Sequence, residues 1–199
     1  VELNDNELNV AYGIQINTSG DALDVDCNQF EAGGFATSPI PAAGTRNADV
    51  LTYPGTGWLS QTTGTLFHQT QRFAAGVTMI VAQIDDGTGN ESIQTLYNTS
   101  DTGTLNVADG GVSQVSISVV NTVGANTTGK LAAAYALNDF AVVVNGGAVV
   151  PDTAGTLPTT TTLRISGSAG GSSMMFGTIS SIRYWPRRLP DSALQSLTA

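Results

Sequence analysis

Residues 131–150, LAAAYALNDFAVVVNGGAVV, constrain this chain more than any other stretch. Two apolar runs meet at Asn138-Asp139, and a third begins after Asn145-Gly146. Asn-Gly between β-branched residues signals a tight hairpin turn, because the central positions of a primed turn need positive φ, which these residues tolerate. The stretch therefore predicts a three-strand antiparallel meander. The closing residues 177–198, GTISSIRYWPRRLPDSALQSLT, add a second constraint. An Ile-containing strand runs to Pro186, and Leu189, Ala193, Leu194 and Leu197 then recur at helical spacing, so one short helix at 191–197 is expected to lie against the sheets.

Length and charge narrow the classes of function. The chain of 199 residues suits one large all-β domain, or one domain plus part of another. A core of about 150 residues buries about 70% of its unfolded surface, so no covalent staple is required. Cys27 is the only cysteine and His68 the only histidine, which excludes an internal disulfide and a Cys/His zinc site within one chain. Charged residues make up 12%, the net charge is −9, and Lys130 is the single lysine. Such a surface repels phosphate backbones, so nucleic acid is set aside as a partner. No apolar run approaches the roughly 18–20 residues of a membrane helix, and no membrane insertion is expected. The acidic opening VELNDNELNV does not read as a signal peptide. It begins on Val1 instead of Met, and the chain is expected to be a piece of a longer protein.

Two parts emerge along the chain. Residues 1–31 hold seven acidic residues and no Lys or Arg, whereas Arg164, Arg183, Arg187 and Arg188 gather near the end. Residues 11–17 and 22–30 read as strands, the second with Leu23, Val25 and Cys27 on one face and Asp24, Asp26 and Asn28 on the other. Unpartnered strands expose their edges, so these two must pair with another module or protomer. Pro39 and Pro41 make residues 38–44 an extended linker. We therefore divide the chain into 1–45, the end of a preceding β-module plus linker, and 46–199, an all-β domain. Its strands are predicted near 48–53, 64–73, 77–84, 92–98, 103–107, 112–121, 130–137, 140–145, 148–150, 161–166 and 176–185. Ile179 and Ile182 are three apart in the last of these, which breaks strict alternation and predicts a β-bulge at Ser180-Ser181.

Ala134-Tyr135 to Asn138, Val142 to Gly146, Leu163-Arg164-Ile165 and Gly177 to Leu197 stand in the order and spacing of a known pattern. In these pieces the chain resembles the concanavalin A-like lectin/glucanase jelly roll in its laminin-G-like form. Two departures are visible: Ser166 intervenes before Gly167, and Pro190 stands where that family usually has a Ser N-cap. Proline is acceptable at the first helical position, so the helix is still expected. The resemblance implies a two-sheet antiparallel jelly-roll sandwich with one short C-terminal helix. Upstream, QFEAGGFATSPIPAAGTRNADVLTY at 29–53 is similar to a segment of bacteriophage tail and virion-surface proteins that joins a β-module to a jelly roll. Trp58 and Gly64-Thr65-Leu66 continue that pattern.

Candidate chemistry follows from these parts. Glycan hydrolases among such sandwiches carry three acids in the pattern E-x-D-x-x-E, since retaining chemistry needs two carboxyl groups about 5 Å apart. That pattern is absent here, and Asp21, Asp24 and Asp26 lie outside the jelly roll, so the chain reads as no enzyme. His68 reads as a strand-face histidine with a local hydrogen bond. The run from Asp85 to Glu91 is the densest cluster of hard oxygen donors in the domain, and calcium takes six to eight such ligands. Asp85, Asp86 and Glu91 are therefore candidate calcium ligands, the resemblance adding that jelly rolls of this family often hold calcium at a sandwich rim. The plain alternative is a solvated acidic hairpin. Trp185 on the closing strand reads as core, whereas Trp58, flanked by Gly57, is open to either role; an indole offers a rigid platform for a sugar ring. The expected function is a non-catalytic module on the virion surface, in a tail fibre, head fibre or similar protein, contacting host-surface glycan. Its site would draw on Trp58, Asp85, Asp86, Asn90, Glu91, Asn98 and Asp101. The alternative is a structural capsid-decoration or fibre-assembly module without a glycan ligand. Expected partners are other virion proteins, copies of itself in a homo-oligomer with a trimer favoured, and host polysaccharide.

Overall fold

The apolar runs of the meander are nearly continuous because its strands are buried on both faces. In β7 (Thr128–Ala136), Leu131, Ala133 and Tyr135 point into one core while Ala132 and Ala134 point into a second. In β8 (Asp139–Val144), Phe140, Val142 and Val144 join the first core and Ala141 and Val143 the second. The small alanines on the second face let helix α1 (Asp191–Thr198) seat Leu194 against them with Leu189. Trp185, half-buried, packs on this same cluster, as the core reading required.

A computed structural model describes residues 51–199. They form two antiparallel sheets. The first runs β1 (Leu51–Pro54), β10 (Thr162–Ile165), β3 (Met79–Asp85), β4 (Ser92–Tyr97), β5 (Thr102–Asp109), β6 (Val112–Thr122). The second runs β11 (Gly177–Trp185), β2 (Thr63–Arg72), β7, β8, β9 (Val150–Asp152). The main core fills the space between them, and the chain is a two-sheet jelly-roll sandwich with one short C-terminal helix. The strands at 11–17 and 22–30, Asp21, Asp24, Asp26, Cys27, the linker at 38–44, the division near residue 45 and the strand start at 48–50 lie outside the described residues.

The turns behave as their residues dictate. Ala136 lies opposite Asp139, so the first hairpin turns on Leu137-Asn138, with Asn138 at φ 56. Asn145 and Gly146 take φ 48 and 67, and the Gly147 N–H donates to the Val144 carbonyl at 2.9 Å. The strand that follows begins at Val150, opposite Val142, two residues later than the expected 148. Gly146→Val is expected to cost about 2 kcal/mol, since a β-branched residue resists positive φ. Its Cβ would also stand 3.3 Å from Ala199 Cα. Urea denaturation checks this, and a variant as stable as the parent would refute the turn's role. The predicted bulge is present: Ile179 faces Thr70 and Ser181 faces Gln69, leaving Ser180 unpaired in the ladder.

Two expectations need correction. Pro190 is the N-cap of α1, at φ −65 and ψ 154, and not its first helical residue. Its carbonyl accepts the Ala193 and Leu194 N–H groups, which anchors the first turn without a side-chain cap. His68 has no local hydrogen bond. It lies fully buried between the sheets, both ring nitrogens without partners, its ring edge-on to Tyr97 at 5.9 Å. Burial away from water penalises the charged ring and holds its pKa down to about 3, so His68 is neutral at physiological pH.

Candidate functional site

Strand register gathers several loops at one rim. Pro54, Thr162 and Asp85 lie directly opposite one another across β1, β10 and β3. With strands about 4.8 Å apart, the turns leaving Pro54 and Asp85 start about 10 Å from each other. Residues 159–161 run between them and are gripped from both sides. The Gly55 N–H donates to the Thr161 carbonyl at 2.6 Å, and the Thr161 N–H donates to the Asp85 carbonyl at 2.7 Å. Gln61 holds Thr160 with both ends of its amide, at 2.8 and 2.9 Å. Glu91 accepts the Thr159 N–H at 3.2 Å with one carboxylate oxygen and the Gly110 N–H at 2.6 Å with the other.

Trp58 stands over this rim as a rigid plate. Its indole N–H donates to the Pro54 carbonyl at 2.6 Å, and its ring meets Tyr184 edge-on with centroids 5.3 Å apart. Tyr184 is itself tied down, its hydroxyl accepting the Ser60 N–H at 3.0 Å. The tryptophan nevertheless remains 36% exposed, so it is anchored without being engulfed. A flat, pre-positioned aromatic surface loses little entropy when a ring stacks on it.

The acidic run divides by role. Asp85 is fully buried: its carboxylate accepts from Arg164 Nε at 2.7 Å, Gln83 Nε2 at 2.9 Å and the Gly87 N–H at 2.7 Å. It braces the rim and cannot reach a ligand. Asp86 is exposed, and hydrogen bonds from the Thr88 hydroxyl and N–H hold its carboxyl below the usual carboxylate range. Its second oxygen has no partner among the described residues, and neither has the exposed side-chain amide of Asn90. Among the described residues no three His, Cys, Asp or Glu side chains gather to hold a metal ion. Of the candidate calcium ligands, Asp85 and Glu91 direct their oxygens to Arg164, Gln83 and backbone donors, whereas Asp86 keeps one oxygen free of these bonds.

Asn98 and Asp101 do not join this rim. They follow β4 where Glu91 precedes it, so the six-residue strand, about 20 Å long, separates them. Both are structural there. Asn98 accepts the Ser100 and Thr102 N–H groups at 2.9 and 3.2 Å. Asp101 accepts from Arg72 Nη1 and the Gly76 N–H, each at 2.9 Å, which holds its carboxyl below the usual range. Arg72 is buried, with its guanidinium 4.5 Å from the centre of the Tyr97 ring. Sequence reasoning missed Gln61, Arg164 and Tyr184. The alternation of Leu163, Arg164 and Ile165 marks Arg164 as outward-facing, but its partner emerges only from the strand order.

No family model matches the sequence, and no curated protein matches it. Solved structures do. The IT-sialidase CBM40 module of Ruminococcus gnavus, bound to α2,3-sialyllactose, is similar with a TM-score of 0.61 at 14% identity, over 70% of this chain and 84% of that one. The leech intramolecular trans-sialidase is similar with a TM-score of 0.56 at 17% identity, over 74% of this chain but only 26% of that chain. The heptameric SAP-like pentraxin of Limulus polyphemus is similar with a TM-score of 0.53 at 15% identity, over 78% of this chain and 79% of that one. At such identities the likeness is one of architecture, and it places the described residues in the concanavalin A-like jelly-roll fold.

Proposed function

We propose that this chain is a non-catalytic glycan-binding module, displayed on a bacteriophage virion in a tail fibre, head fibre or similar protein, with the Trp58 rim as its sugar site. The observation that carries the reading is Trp58 itself, pinned by Pro54 and Tyr184 yet left exposed. The turn that leaves Asp85, two strands from Pro54 in register, carries the unpartnered Asp86 oxygen and the exposed Asn90 amide, the groups that hydroxyls need. That a CBM40 module bound to sialyllactose shares the fold supports the glycan, and the similarity of residues 29–53 to phage segments supports the virion. Repeated display in a homo-oligomer, with a trimer favoured, would strengthen weak single sites by avidity.

Trp58→Ala is expected to weaken binding to host cells or host polysaccharide about thirtyfold, the loss of an aromatic anchor worth about 2 kcal/mol. The melting temperature should move by only a few degrees. Unfolding of that variant would make Trp58 a core residue and turn the reading toward the alternative, a structural decoration or fibre-assembly module. One observation favours that alternative: the edge strand β6 is 11 residues long with no charge or proline, and Val112 and Val120 are exposed on it.

A further inference from the structure

We infer that the Trp58 rim selects glycans without carboxylate sugars, in contrast to the sialylated ligand of the CBM40 neighbour. The inference rests on the glycan-binding reading above. The loops that surround residues 159–161 are 55–62, 86–91, 110–111 and 153–158, and their only charged residues are Asp86 and Glu91, with Asp109 at the end of β5 beside them. Asp109 is fixed in place by a hydrogen bond from the Thr156 hydroxyl, and Glu91 by those from Gly110 and Thr159. All three therefore stay where a ligand would meet them.

Most cations on the flanking segments are already engaged. Arg164 is committed to buried Asp85 at 2.7 Å. Arg188 is shared between Asp139 at 2.9 Å and Asp191 at 2.6 Å. Arg187 has no ion pair among the described residues, and its carbonyl accepts from the Thr65 hydroxyl at 2.9 Å. Arg183 lies over the Phe67 ring of the second core. A carboxylate sugar stacked on Trp58 thus meets fixed negative charge within about a Debye length, while Arg164 and Arg188 already hold carboxylates of their own. A neutral sugar meets the same groups as hydrogen-bond acceptors: the unpartnered oxygen of Asp86 and the carbonyl end of the Asn90 amide take hydroxyl protons, while the amide N–H₂ donates. Asp86 is the residue that sets the preference, being the exposed carboxylate on the turn that leaves Asp85, two strands from Pro54 in register.

Matched pairs of probes test this by calorimetry on the full chain: lactose against 3′-sialyllactose, and methyl-esterified trigalacturonate against trigalacturonate, beside a panel of neutral cello-, malto- and chito-oligosaccharides. The neutral member of a pair should bind roughly tenfold more tightly at low salt. The gap should shrink at 0.5 M salt and in Asp86→Lys, and binding should be lost in Trp58→Ala. An acidic member that binds as tightly as its neutral counterpart, with Trp58 required, overturns the inference and leaves the glycan reading standing. Neutral binding that survives Trp58→Ala overturns the inference by placing the site elsewhere. Absence of binding to every probe overturns the glycan reading, and the inference with it.

Discussion

Asp85→Ala is expected to lower the free energy of unfolding by about 3–5 kcal/mol, the range for stripping one partner from a buried ion pair. Asp85 is inaccessible to solvent, and Arg164 keeps only 16% of its side chain exposed. Removing the carboxylate strands three donors at once: Arg164 Nε, Gln83 Nε2 and the Gly87 N–H. The charge on Arg164 is the largest of these losses, because it remains beside the sheet with no counter-ion. The double variant Asp85→Ala, Arg164→Met should be less damaged than the sum of the two single ones, since the methionine removes the orphaned charge. Urea denaturation of all four proteins gives the coupling. A single-variant cost below about 1 kcal/mol, typical of an exposed pair, would show that Asp85 is not the buried brace described above. The effect reaches the candidate site as well, because the Asp85 carbonyl holds Thr161 and the turn leads directly into Asp86.

Acid should unfold this domain through His68. The ring titrates near 6.5 when exposed in the unfolded chain and near 3 when buried, so between these values the unfolded state binds more protons. The contribution of a neutral His68 to stability is complete above pH 6.5 and is lost as pH falls toward 3. The slope is about 1.4 kcal/mol for each pH unit, which accumulates to roughly 4–5 kcal/mol at the lower end. His68→Leu keeps the volume, removes both unpartnered nitrogens and should flatten the pH dependence over that range. It should also be no less stable than the parent at pH 7, because an unsatisfied buried polar group is disfavoured against an apolar one. Melts from pH 7 to 4 compare the two. Parallel loss of stability in both proteins would assign the acid sensitivity to other groups.

His68 also shows where reading from sequence stops. Its strand, TGTLFHQTQR, sets Leu66 beside Phe67 and does not alternate in polarity, while the structure puts Leu66, His68, Thr70 and Arg72 on one side. Which side faces the core depended on the partner strands. The polar set fell inside, where Tyr97 takes a hydrogen bond with Thr70 at 3.1 Å and the Arg72 guanidinium above its ring.

The features legible in the sequence are local ones. Asn138, Asn145 and Gly146 adopt positive φ because their own backbones allow it. The strand alternation, the bulge at Ser180 and the helix after Pro190 follow from residues within a few positions of one another, and each can be read from the residues alone. Of the candidate site, Asp86 and Asn90 read as loop residues and Trp58 as open to either role; the fold leaves all three exposed. Their partners, and those of the other charged groups, came from the packing of the sheets. Asp85 meets Arg164 across 79 residues of chain, Asp101 meets Arg72, and Asn98 sits a full strand length from Glu91. Gly64 and Gly129 carry no sign of their neighbours in the sequence, yet each leaves room for a tyrosine: a Cβ would collide with the Tyr135 side chain at Gly64 and with that of Tyr97 at Gly129. Backbone preference acts on neighbours in sequence, whereas the fate of a charge or a cavity is set by strand order and register, which bring together residues whose spacing along the chain carries no trace of the contact.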